Sequence, residues 1–217
     1  MGRGLRNDIL CDVKLATFFL ACASLAALAG DAAGIDATLT DSRGAPLEDA
    51  VVWAMPKGSA PPRPRREAAI EQIDKQFAPL VTVVQAGTQV RFPNRDEIRH
   101  HVYSFSPPKI FEIKLYAGTP AAPVLFDKPG EVVLGCNIHD SMIAYLYVVD
   151  TPFFAKSGKD GRARIEGLPA GEYELHAWHY AQAAAVDSRP ARLRGDEALA
   201  AAFAITTKAP SPRPIAK

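Results

Sequence analysis

Residues 131–149 read E-V-V-L-G-C-N-I-H-D-S-M-I-A-Y-L-Y-V-V. Two β-branched and aromatic runs, 131–134 and 143–149, flank a short stretch that carries Cys136, His139 and Met142. Runs of that composition, bounded by turn residues, read as strands. The stretch between them is then a tight loop, which can turn all three side chains toward one point. Working outward, V-V-W-A-M at 51–55, V-T-V-V at 81–84 and T-Q-V-R-F at 88–92 read as further strands, with frequent Gly and Pro between them. Strand runs and turn signals at this spacing predict an all-β sandwich or barrel. Only Glu67–Lys75 and the Ala-rich Glu197–Ala204 read as helical.

Upstream of the loop, F-P-N-R-D-E-I-R-H-H-V-Y at 92–103 supplies two histidines where a strand begins. A thiolate, imidazoles and a thioether form a selective donor set. Sulfur donors are soft, and imidazole suits copper and zinc. Two His and one Cys with a distant axial Met is the geometry of electron-transfer copper. Structural zinc draws on Cys, His and carboxylate rather than Met. Neither paired C-x-x-C knuckles nor a C-x-x-C-H haem attachment occurs.

F-P-N-R-D-E-I-R-H-H-V followed by F-D-K-P-G-E-V-V-L-G-C-N-I-H-D-S-M resembles the cupredoxins, a family that includes plastocyanins, pseudoazurins and amicyanins. The resemblance spans residues 76–150, and the short C-x-x-H-x-x-M loop looks most like that of amicyanin. It implies a Greek-key β-sandwich holding one type 1 copper through His100, Cys136, His139 and Met142, with His101 as the alternate to His100. The doublet departs from the family pattern, in which Asn often follows this ligand. Strand alternation sends neighbouring side chains to opposite faces, so only one histidine of the pair can point at the metal. Asn94, Asp96 and Asn137 fit a role in fixing the loops, and equally ordinary turn chemistry.

The flanks carry D-x-x-G-x-P-L-x-x-A at 41–50 and G-L-P-A-G-x-Y at 167–173. These resemble the carboxypeptidase-regulatory or transthyretin-like sandwich. The implied architecture is a cupredoxin beside, or inserted in, a small immunoglobulin-like β-sandwich. The combination is similar to bacterial sequences that go under the label methylamine utilization protein. In residues 160–180, Ala163, Ile165 and Leu168 precede the turn L-P-A-G, and Tyr173, Leu175 and Ala177 follow it, which predicts a hairpin with one buried face.

The N-terminus carries Arg3, Arg6 and Lys14, then an apolar run over 15–29 ending in A-L-A. That is the pattern of a secretory signal peptide. The run is short for a membrane span, which needs about 20 residues; retention as an anchor is the alternative. Cleavage after Ala29 removes three basic and two acidic residues from a chain of 25 and 24, leaving 22 of each and no net charge. It also removes Cys11 and Cys22, so Cys136 becomes the sole thiol in a compartment where cysteines usually pair.

The expected organisation is therefore a signal peptide (1–29), the first part of the immunoglobulin-like sandwich (30–56), a linker (57–67), the copper domain (68–150), the second part of the sandwich (151–205) and a disordered tail (206–217). Four of the eleven residues at 56–66 are proline and four are basic, which suits a solvated linker. The formal charge of +1 gives no support to nucleic-acid binding. No nucleophile–base pattern or phosphate loop stands out, and four protein ligands close a metal to substrate. The expectation is a periplasmic electron carrier, not an enzyme. It would work with a redox partner such as a c-type cytochrome or periplasmic dehydrogenase, and without integral membrane association after cleavage. A copper chaperone, store or sensor, or a purely structural sandwich, are the competing readings. His176 and His179 sit three apart on a strand, hence on opposite faces, and read as structural or exposed.

Overall fold

The computed structural model describes residues 34–58, 66–120, 122–185, 187–195 and 198–208. The signal segment lies outside the described residues, as do 59–65 of the linker and 209–217 of the tail. β1 (Gly34–Asp41) and β2 (Val51–Pro56) come first. Next are β3 (Glu67–Ala69), β4 (Glu71–Ile73), β5 (Gln76–Ala78), β6 (Val81–Gln85) and β7 (Thr88–Arg91). Then come β8 (His100–Ser104), β9 (Phe111–Tyr116), β10 (Val124–Phe126), β11 (Gly130–Gly135) and β12 (Ile143–Val149). The last are β13 (Phe154–Lys156), β14 (Arg162–Glu166), β15 (Gly171–Trp178), β16 (Asp187–Leu193) and β17 (Leu199–Ile205). The described residues contain no helix, and the chain is all-β as expected.

Two sandwiches are stacked along the chain. The first pairs the sheet β14-β1-β17 with the sheet β13-β2-β15-β16. Strict alternation in β1 sends Ile35, Ala37 and Leu39 inward to meet Val52, Leu175 and Phe203. Asp41 closes the turn that follows β1: its carboxylate accepts the amides of Arg43 and Ala45 at 2.8 and 2.9 Å. The second sandwich lays the sheet β6-β12-β11-β8-β9 over the sheet β10-β7-β3 and the β4–β5 hairpin. Phe92, Phe126, Leu134 and Leu146 fill it.

The run I-A-Y-L-Y-V-V lacks polar alternation for a reason visible in β12. Ala144, Leu146 and Val148 face the second core, while Tyr147 and Val149 face the first sandwich. There they meet Val51, Trp53 and Trp178. Tyr147 lies between the two indoles, 4.9 Å from Trp53 and 4.7 Å from Trp178 by ring centroid. Such aromatic pairs each contribute about 0.5–1.5 kcal/mol beyond area burial, so this seam joins the sandwiches firmly.

Three expectations need correction. Residues 67–75 are not helical: they hold β3, β4 and a turn, with Ile70 and Gln72 buried. β3 pairs with β7, and that pairing overrides helix propensity. Leu199–Ile205 is a strand parallel to β1, burying Phe203 and Ile205 on one face; Glu197 lies outside the described residues. Residues 160–180 are not a hairpin. The alternation was correct, but β14 pairs with β1 and β15 pairs with β2 and β16, so the L-P-A-G link crosses from one sheet to the other. Alternation identifies the buried face and is silent about the partner strand. At the head of the expected tail, the amide of Ala183 bonds to Thr206 and that of Lys208 to Ala181, so these residues are tied to the fold.

Candidate metal centre

Strand register brings the predicted residues together. Gly135, at the end of β11, pairs antiparallel with Tyr103 near the end of β8, so the chain beyond Gly135 runs back toward His100. Gly135 also pairs with Ile143, which closes the intervening loop. Within that loop the amide of Met142 bonds to the carbonyl of His139 at 2.9 Å, a turn that draws the residues inward. His100, Cys136 and Met142 are buried, and His139 is partly exposed. A side chain at Gly135 would bring its Cβ to 2.7 Å from Tyr103, whose ring lies across this position. Any residue with a side chain in this place would require the Tyr103 ring to shift.

The Cys136 Sγ lies 3.8 Å from His100 Nδ1 and 3.9 Å from His139 Nδ1. The donor atoms of all three lie within 4.8 Å of one another. A metal ion bonded to sulfur at about 2.3 Å and to nitrogen at about 2.0 Å, at a trigonal angle, holds those donors roughly 3.7 Å apart. The spacing fits an ion between them. Among the described residues this is the one such cluster of His, Cys and acidic groups. Met142 packs in the same core as Cys136.

His101 is on the opposite face of β8. Its Nε2 lies 3.0 Å from Glu112 Oε1, and its ring stands edge-on to Tyr103. His100, by contrast, has Nδ1 toward Cys136 and Nε2 2.7 Å from Asp96 Oδ2. Burial pushes the Asp96 carboxyl up, but bonds from the Lys75 amide, His100 and the Asp74 amide outweigh it and hold it below the usual range. Asn94 braces the same loop: its amide donates to the carbonyls of Ile98 and Tyr116, and its oxygen accepts the Asp96 amide. Asn137 is exposed. Burial pushes the His139 imidazole below its ordinary value, and His100 and Lys75 add to the effect.

Sequence reasoning missed a polar cluster on the core side. The Tyr116 hydroxyl donates to the Phe92 carbonyl at 2.7 Å and accepts from the amide of buried Gln72. Burial pushes the Tyr116 phenol up to about 12 against the Gln72 bond, and Cys136 adds to the rise. The signal was a lone glutamine in a segment read as helix. The other histidines have structural contacts. His176 stacks on Trp53 at 5.0 Å. His179 donates from Nε2 to the Glu48 carbonyl and accepts the Ala181 amide at Nδ1.

No family model and no curated protein matches the chain. Solved structures do. One is a purple cupredoxin from Nitrosopumilus maritimus, 19% identical, covering 38% of this chain and 99% of that one, with a TM-score of 0.34. Another is a pseudoazurin from Methylobacterium extorquens AM1, 24% identical over 39% and 76% of the two chains, with a TM-score of 0.33. A third is the copper-containing nitrite reductase of Thermus scotoductus SA-01, 21% identical, with a TM-score of 0.37. It covers 53% of this chain, which spans 28% of the reductase. The third match corrects one expectation. The sequence reading excluded an enzyme because four protein ligands would close the metal, yet an enzyme stands among the similar structures, so that exclusion is withdrawn. Among the described residues no helix is long and apolar enough to cross a membrane.

Proposed function

We propose that this chain is an exported copper protein of the cupredoxin family that passes single electrons. One type 1 copper would be held by His100, Cys136, His139 and Met142. The observation that carries this reading is the convergence of Cys136 Sγ with the Nδ1 atoms of His100 and His139. A thiolate with two imidazoles and a thioether is a donor set that selects copper over zinc.

Bound copper would supply a centre that gains and loses one electron. The residues around it do the rest. The buried side chains of His100, Cys136 and Met142 exclude water from the site. The partly exposed His139 offers a short route to a docked partner, and Ile138 beside it is exposed and apolar. The partner would be a redox protein such as a c-type cytochrome or a periplasmic dehydrogenase. A cleaved signal peptide over 1–29 would deliver the chain to the periplasm. Residues 68–150 would form the copper unit, and 30–56 with 151–205 the immunoglobulin-like one.

The test is to add Cu(II) to the purified chain and record the visible spectrum and the voltammogram. The expected result is an intense thiolate-to-copper band, reversible one-electron cycling, and loss of the band in Cys136→Ser. A colourless protein that takes up zinc equally well would overturn the proposal.

A further inference from the structure

The β4–β5 turn has an unusual backbone. Asp74 and Lys75 both adopt positive φ, 52° and 56°, although neither is glycine. Only a minority of non-Gly residues adopt this region, where it costs free energy. Here it aims two successive amides at one carboxylate. The Asp74 amide donates to Asp96 Oδ1 at 2.7 Å, and the Lys75 amide to Asp96 Oδ2 at 3.0 Å. Asp96 Oδ2 lies 2.7 Å from His100 Nε2, and His100 is fully buried. A carboxylate has no proton to give, so the His100 Nε2 must carry the hydrogen in this pair. Nδ1, which faces Cys136, is then left with a lone pair.

We propose that Asp96 is a positioning residue: anchored by the turn amides, it holds His100 in the tautomer whose Nδ1 lone pair faces Cys136, and its charge favours the more highly charged metal ion. The second half rests on the copper reading above; the first half does not. Asp96 would thus link a surface hairpin to the site through two successive hydrogen bonds. A carboxylate behind a ligating histidine fixes the ring and raises its basicity. A role confined to capping the turn would leave both the tautomer and the potential unmoved.

The experiment compares the wild-type chain with Asp96→Asn and Asp96→Glu. Nitrogen NMR of the metal-free wild type should show His100 protonated at Nε2, and Asp96→Asn should show a mixture of tautomers. Cu(II) binding to Asp96→Asn should weaken about 10- to 100-fold, with a smaller change for Cu(I). The reduction potential should rise by about 59 mV for each tenfold difference between the two. Asp96→Glu, which keeps the charge, should return the potential toward wild type. Protonation of wild-type His100 at Nδ1 overturns the inference, and that measurement stands even if Asp96→Asn fails to fold. A folded Asp96→Asn with unchanged potential overturns the charge effect. A wild-type chain that takes up no copper overturns the copper reading and the charge effect together, and the tautomer still decides the positioning role.

Discussion

The sandwich of β1, β2 and β13–β17 and the sandwich of β3–β12 bury cores of the same aliphatic and aromatic kind, and both tie buried polar side chains to backbone, but the second also turns a set of them toward one another. In the first, polar atoms are used up by backbone. Ser157 accepts the Ala50 amide and donates to the Leu47 carbonyl, Thr151 donates to the Ala54 carbonyl, and both ring nitrogens of His179 have backbone partners. Such groups satisfy the rule that buried polar atoms are paired, and they tie loops down. In the second, the Nδ1 atoms of His100 and His139 and the Cys136 Sγ face one another without a backbone partner between them. What separates a structural histidine from a candidate ligand here is the direction of its lone pair.

The largest test of that contrast is a pair of substitutions in one strand. His100→Ala should abolish the copper band completely, and His101→Ala should leave it in place, because His101 faces Glu112 on the other side of the sheet. Loss of the band in His101→Ala alone would reverse the assignment. The seam comes next. Trp178→Ala removes a buried indole that packs on Tyr147. It should cost about 3–5 kcal/mol. In calorimetry, one unfolding transition should split into two as the sandwiches uncouple, while the copper band persists below the first. A band lost together with the seam would show that the site depends on the first sandwich.

The smallest effect concerns Glu131, beside the seam. Burial pushes its carboxyl above the usual value, against the Trp178 hydrogen bond and the Lys208 charge. The folded chain therefore favours the protonated form. That contribution is complete below the unfolded value near pH 4 and is lost as pH rises through the higher folded value. Glu131→Gln should be more stable than wild type at pH 7, with the difference vanishing in acid. Urea titrations at several pH values check this, and a pH-independent difference would count against it.

Much of this is legible in the sequence. Strand runs, the buried face carried by Ala163, Ile165, Tyr173, Leu175 and Ala177, and the Cys136–His139–Met142 loop could all be read from residue type and spacing. Sequence failed where the partner mattered. The Ala-rich β17 resembles a helix until it lies along β1, and β14 and β15 resemble a hairpin until they enter different sheets. The D-K pair at 74–75 is a weak turn signal beside Asn-Gly or Asp-Gly, so the hairpin under Asp96 was missed.

The sequence by itself determined the all-β class, because β-branched and aromatic runs broken by Gly and Pro bury area well only as sheets. It also determined the donor set, since thiolate, imidazole and thioether are properties of residue type. Tertiary structure decided which histidine faces Cys136, since adjacent residues in a strand differ only in the face they occupy, and a face acquires meaning from what packs against it. It also joined the amides of residues 74 and 75 to Asp96, a contact across more than twenty residues that local pattern cannot record.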